Sequence, residues 1–295
     1  MGKSETALEV AKVFNAEIVN GDAFQIYKEM NIGVAKPPVE YFSIVPHHLF
    51  SFVDINHDYS IAEYQKDLRK TIDEISSRGK NVVIVGGSGL YIRSALYDYK
   101  FSEQPKIDMS KYEKLTNEEL HKELQKIDSK QAAIIHMNNR KRVLRGIEIY
   151  LAQGITKSEV IDSQEHKLVY DAKFYVRNMD RDLLYSLIDK RVDNMIEAGL
   201  FNEVRDILVK YGKQCKALQA IGYKELIPVA EGKYSLKEGI ELVKKNSRNY
   251  AKRQLTFIRH QFPVVFYENT QDLLGILKNE WLFRQIKTTP WRRQN

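Results

Sequence analysis

Residues Ile18-Val19-Asn20-Gly21-Asp22 read as a short apolar strand that delivers an acid into a loop running on to Pro37. Strands of a parallel α/β sheet end at the crevice where ligands bind, and a glycine there admits close approach by backbone or ligand. Asp22 is therefore a candidate general base, with the alternative that it caps or turns the chain behind the strand. Upstream, Gly2-Lys3-Ser4 precedes Ala7, Leu8, Val10, Ala11 and Phe14, a spacing that suits one face of a helix. Gly-Lys-Ser at a helix start is the tail of the phosphate loop G-x-x-x-x-G-K-[ST]. In that loop backbone N–H groups cradle phosphates, the lysine neutralises them and the hydroxyl reaches Mg2+. Only Gly2, Lys3 and Ser4 are present, so a chance Gly-Lys-Ser remains the alternative.

A second oxyanion-binding turn is expected at Gly86-Gly87-Ser88-Gly89, which breaks the β-branched run Asn81-Val82-Val83-Ile84-Val85 before Leu90-Tyr91-Ile92. Strand, glycine turn and helix start bring N–H groups and a hydroxyl together, although tight helix–strand packing explains the glycines equally well. Arg191 lies at the edge of an apolar stripe formed by Leu184, Leu187, Ile188, Val192 and Met195. A partly buried guanidinium needs an anion, either a structural carboxylate or a ligand phosphate. Pro46-His47-His48 reads as loop, and its adjacent histidines point opposite ways on an extended chain, which argues against a shared metal.

These residues need a scaffold, and 295 residues with 43% hydrophobic content supply a core for one large domain or two modest ones. No apolar run approaches the roughly 20 residues needed to span a bilayer, and no signal-peptide region opens the chain. A single cysteine, Cys215, excludes an intrachain disulfide and any cysteine-rich metal site, so a cytoplasmic protein without membrane contact is expected. The formal charge of +7 favours an anionic partner. Basic residues gather in Asn138 to Arg145, in Lys244 to Arg253 and at Arg292-Arg293, with seventeen tyrosines available as stacking platforms. Each cluster is alternatively a solvated helix face.

Ser60-Ile61-Ala62-Glu63 is a capping box opening a helix with Ile61, Tyr64, Leu68, Ile72 and Ile75 on one face, ending at Gly79. From about 99 to 172 the texture turns polar and Lys/Glu-rich, with turn residues Pro105 and Gly154 and another capping pattern at Thr116 and Glu119. We read this stretch as a helical insertion in an α/β core that resumes at Phe174-Tyr175-Val176, followed by a helix starting at Asp180.

The ordered set Gly2-Lys3-Ser4, Asn20 to Pro37, Pro46-His47-His48, Gly86 to Tyr91, Asn139 to Glu148, Arg191, Ala220 to Glu225 and Tyr250 to Thr256 resembles the bacterial tRNA dimethylallyltransferase family over nearly the whole chain. The resemblance implies an α/β fold with a P-loop NTPase-like parallel sheet flanked by helices: a core at 1–98 and 173–295 and a helical insertion at 99–172 contacting the anticodon stem-loop. It implies transfer of a dimethylallyl group from dimethylallyl diphosphate to the exocyclic amine of the adenosine 3′ of the anticodon in tRNA, with Mg2+ as cofactor and a monomeric enzyme. Under it, Asp22 accepts a proton from or hydrogen-bonds the attacking amine, and Asp22, Ala23, Phe24 and Gln25 contact the adenine. Gly2, Lys3 and Ser4 match the diphosphate site, with Ser4 on the metal. Ser88 and Arg191 match groups reaching the same diphosphate. Lys141, Arg142, Val143, Leu144 and Arg145 match one tRNA-contacting run, and Gln219, Ala220, Ile221, Gly222, Tyr223 and Lys224 another.

The sequence departs from the family pattern in three places. The family's Gly-Pro-Thr-Ala-Ser-Gly-Lys-Thr and preceding strand are reduced to Met1-Gly2-Lys3-Ser4; Asp-Ser-Met-Gln becomes Asp22-Ala23-Phe24-Gln25; Gly-Thr-Ala-Lys becomes Gly33-Val34-Ala35-Lys36. Each lost hydroxyl removes a hydrogen bond worth about 0.5–1.5 kcal/mol. A missing central strand would remove about four apolar side chains at roughly 1.5–3 kcal/mol each, comparable with a domain's whole net stability of about 5–15 kcal/mol. The first residues are thus expected to reflect a late start or a damaged copy. An active transferase, a non-catalytic tRNA-binding remnant and a small-molecule kinase are the competing readings.

Overall fold

The β-branched and apolar runs form parallel strands, as their composition dictates. The structure, a computed structural model, describes residues 2–101 and 107–285; Met1, Pro105 and Arg292-Arg293 lie outside the described residues. Two units are present, one comprising Met1–Leu96 with Val169–Asn295 and the other Tyr97–Leu168.

In the first unit β1 (Ala16–Asn20), β2 (His47–His48) and β3 (Asn81–Val85) form a parallel sheet in the order β2-β1-β3, with Ile18 opposite both His47 and Val83. The histidine pair, expected in a loop, is therefore a short strand. β4 (Phe174–Arg177) and β5 (Val264–Tyr267) form a separate parallel pair. The helix Lys3–Val13 buries Ala7, Leu8, Val10 and Ala11, the first two and Ala11 joining Ile18 in one apolar cluster. The helix Ile61–Ser77 begins with the expected capping box, and Gly79 follows its end at φ +69°.

All five residues of β1 are buried, whereas those of β3 are only partly so. Beyond β3 lies a largely apolar cavity of about 370 Å3, lined by the consecutive residues Val82 to Val85 and, from β4, Phe174 to Val176. Successive strand residues point to opposite faces, so a lining of consecutive residues means that the edge of β3 meets the space.

The second unit is helical. Leu120, Leu124, Ala132, Ile135, Val143 and Ile147 form its core. Capping boxes at Thr116/Glu119 and Thr156/Glu159 start two of its helices. Buried Asp128 ties the second of these to the helix Ser129–Ile134 by accepting the Ser158 N–H at 2.9 Å and the Gln131 N–H at 3.0 Å. The helix Arg140–Gln153 ends at Gly154 in the left-handed conformation.

Candidate active site

β1 ends at Asn20, which is fully buried and orients the acid that follows. Its side-chain amide donates to the carbonyls of Asp22 at 2.9 Å and Leu49 at 3.0 Å, and its oxygen accepts the Asp22 N–H at 2.9 Å. Tyr64 donates to the Asn20 carbonyl from behind at 2.8 Å. Asp22 itself accepts the Phe24 N–H at 2.9 Å, so the turn-forming role and the placement at a cavity coexist in one residue. Surrounding protein raises the pKa of Asp22, opposed chiefly by the Phe24 N–H and then by Lys3, the Gln25 N–H and Arg191. A carboxyl shifted upward is a stronger base when ionised.

The second glycine turn packs directly on this loop. A Cβ at Gly86 would come within 2.1 Å of the Gly21 carbonyl, backbone against backbone, so no side chain fits. Gly21 donates to the Val85 carbonyl at 2.8 Å, and Ser88 N–H donates to the Gly21 carbonyl at 3.1 Å. The Ser88 hydroxyl accepts the Ala23 N–H at 2.9 Å, and Gln254 holds the Gly87 carbonyl at 2.7 Å. Tyr250 lies against Gln254 and Ser88, its hydroxyl pKa raised by burial and by Asp22.

Gly2, Lys3, Ser4, Asp22, Gln25 and Arg191 all line one cavity of about 640 Å3. Gly2 starts the helix Lys3–Val13 in the left-handed conformation, φ +76°, and accepts the Thr6 N–H. Lys3 is open to the solvent of the cavity, yet the surrounding protein and then Arg191 lower its pKa while Asp22 raises it. Arg191 projects from the helix Arg181–Glu197, and its Nε is buried with no hydrogen-bond partner. Burial lowers its pKa and Asp22 opposes that shift. No carboxylate among the described residues forms an ion pair with Arg191, which favours the ligand-anion alternative over the structural one. Two crowded cations beside one acid form a site that a polyanion relieves.

The rest of the loop is locked internally. Gln25 donates to the carbonyls of Val34 at 2.9 Å and Ala35 at 3.0 Å. Lys36 donates to the Tyr27 carbonyl at 2.5 Å and to Asn31 at 3.1 Å; burial draws its pKa down to about 8, with Glu203 opposing. Phe24 lines the same cavity, as do Gln219, Ala220, Ile221, Gly222 and Lys224. Tyr223 does not: it is fully buried and bonded to Glu203.

Lys141, Arg142 and Arg145 are exposed on the helix Arg140–Gln153, but Val143 is fully buried and Leu144 packs on the same core. The helical period turns Val143 into the fold and leaves Leu144 half-buried beside it. Lys157 joins the cationic face, its pKa lowered by burial, then by Arg142 and Arg145. The basic run at 244–253 divides likewise. Lys244 pairs with Asp193 at 2.7 Å and Arg248 grips Asp189 at 2.5 and 2.6 Å, while Tyr250, Arg253 and Gln254 line the cavity. His48 and Arg78 both bond buried Glu17 at 2.7 Å, and among the described residues no three His, Cys, Asp or Glu gather as a metal cluster.

The sequence reading did not single out Asn20, Tyr250 or Gln254 individually, although each lies inside a motif it quoted. It missed Glu203 and Lys157, which carry no local signal beyond that of an ordinary helix residue.

The IPP transferase family model matches residues 25–261. The chain is 43% identical over 276 residues to the tRNA dimethylallyltransferase of Anoxybacillus flavithermus, covering 93% of this chain and 89% of that protein. It is 41% identical over 292 residues to that of Bacillus subtilis, covering 97% and 93%. The solved tRNA isopentenylpyrophosphate transferase of Bacillus halodurans superposes with a TM-score of 0.73 at 33% identity, over 97% of this chain and 93% of that one. A eukaryotic dimethylallyltransferase acting on tRNA gives 0.80 at 26% identity, over 99% and 78%. Nothing in these matches favours the non-catalytic or kinase readings, and they carry the P-loop-like α/β fold class with them. On the extent of both the family match and the shared sequence, this chain belongs to the IPP transferase family, alongside the tRNA dimethylallyltransferases.

Proposed function

We propose that the protein transfers a dimethylallyl group from dimethylallyl diphosphate to the exocyclic amine of the adenosine 3′ of the anticodon in tRNA, in the cytoplasm. The observation that carries this reading is the buried, unpartnered Nε of Arg191, a residue that lines the cavity together with Lys3, Ser4 and Asp22. In the reaction the amine nitrogen bonds to the allylic carbon, the carbon–oxygen bond breaks and its electron pair leaves on diphosphate. Asp22 takes the proton that the amine sheds. The adenine amine is a poor nucleophile, so charge dispersal by Lys3 and Arg191 supplies much of the rate, and positioning supplies more. A stacked base cannot present its amine, so the target nucleotide is flipped out, with Phe24 and Gln25 on its side of the cavity.

The hydroxyl of Ser4, in a cavity where no three His, Cys, Asp or Glu among the described residues gather, fits an Mg2+ ligated mainly by diphosphate oxygens and water. Bound there, the ion would neutralise charge on the leaving group. Lys141, Arg142 and Arg145, with Gln219 to Gly222 and Lys224, are the tRNA contacts in this reading. The test is transfer of labelled dimethylallyl groups by this chain to unmodified tRNA with magnesium. Labelled isopentenyladenosine beside the anticodon is the expected product; tRNA binding without transfer would overturn the reading.

A further inference from the structure

The helix Leu200–Tyr211 contributes nothing to the cavity, yet it grips the loop that carries the acid. Its Glu203 carboxylate accepts the backbone N–H groups of Asn31 at 3.0 Å, Ile32 at 3.0 Å and Gly33 at 3.1 Å, and also the hydroxyl of fully buried Tyr223. Four donors fill the acceptor sites of one carboxylate. A Cβ at Gly33 would sit 2.4 Å from the Tyr223 ring, so this ring packs against bare backbone. Farther along the same helix, Lys210 and Tyr211 hold Glu29, two residues before the gripped amides.

Residues Gly33 to Lys36 line one part of the cavity, and Gln219 to Gly222 with Lys224 line another. Glu203 is bonded to both segments from behind. We propose that Glu203 is a positioning residue for the RNA end of the site, fixing the acid loop against the 219–224 segment so that the adenosine meets Asp22. This role rests on the transferase reading. Lys3 and Arg191, at the diphosphate end, are held by other elements, so the two substrates respond differently to its loss.

The experiment compares the parent chain with Glu203→Gln and Tyr223→Phe, measuring kcat and KM for each substrate, tRNA affinity by filter binding and amide exchange at residues 31–33. The carboxamide that Glu203→Gln introduces would turn its own N–H groups toward the backbone N–H groups. The expected result is a rise of about tenfold or more in KM for tRNA, with KM for dimethylallyl diphosphate within about twofold and faster exchange at 31–33. Tyr223→Phe, which spares the three amides, shifts the same quantities in the same direction by less. A fall in kcat with both KM values unchanged would mark a merely structural loss of active protein and overturn the role. Failure of the parent chain to transfer would overturn the transferase reading instead; unchanged exchange and tRNA affinity in Glu203→Gln would then overturn the positioning role separately.

Discussion

The Ser88 hydroxyl accepts the backbone N–H of Ala23 at 2.9 Å, stitching the second glycine turn to the residue after the acid. Ser88→Ala leaves that N–H without its partner, at a cost of about 1–3 kcal/mol. Catalytic efficiency should fall by roughly 5- to 150-fold. Steady-state kinetics on tRNA check this, and an undiminished kcat/KM would detach Ser88 from the geometry of Asp22.

Asp22 must be ionised to accept a proton, and its pKa is raised above the ordinary 3.8 by its surroundings. Activity should therefore rise with pH along an acidic limb displaced above that value. Diphosphate neutralises Lys3 and Arg191, which hold the pKa down in the empty site, so the limb in kcat should lie at higher pH than the limb in kcat/KM for the prenyl donor. Asp22→Asn should abolish transfer while tRNA affinity persists. For stability the sign is opposite: the folded state binds this proton more tightly than the unfolded chain, so the contribution of Asp22 is fully present at low pH. It is lost as pH rises from 3.8 through the raised folded value.

Arg191 loses hydration on folding without gaining a protein partner for its Nε. Arg191→Met should raise KM for dimethylallyl diphosphate by about ten- to a hundredfold, the worth of a charged hydrogen bond. The same variant should unfold at an equal or higher temperature. A drop in the melting midpoint without a change in KM would reassign Arg191 to the scaffold.

Arg142 is exposed beside Arg145 and Lys157. Its replacement by Ala should weaken tRNA binding and reduce the slope of log affinity against log salt by about 0.7–0.9, one phosphate contact. An unchanged slope across a salt titration removes it from the interface.

Much of this was written locally. The capping box at Ser60 and Glu63, the β-branched run at 81–85 and its glycine turn depend on neighbours a few residues apart, and all three form as the patterns dictate. What was hidden depends on distant partners. The distinction between Lys244 or Arg248, spent on Asp193 and Asp189, and Arg142, left facing outward, arises only when two helices meet. Glu203 lies about 170 positions from the amides it binds, and no periodicity announces it. Val143 and Leu144 fell within a basic motif whose helical period turns them inward.

The strand that presents Ser88 is flanked by another strand on its β1 side and by an apolar cavity on the other. A strand paired on one side only is held by one ladder of hydrogen bonds, so a ligand bound at the turn after Val85 would stabilise β3 as well. By the same linkage, a substitution that stiffens β3 should tighten donor binding without touching the donor.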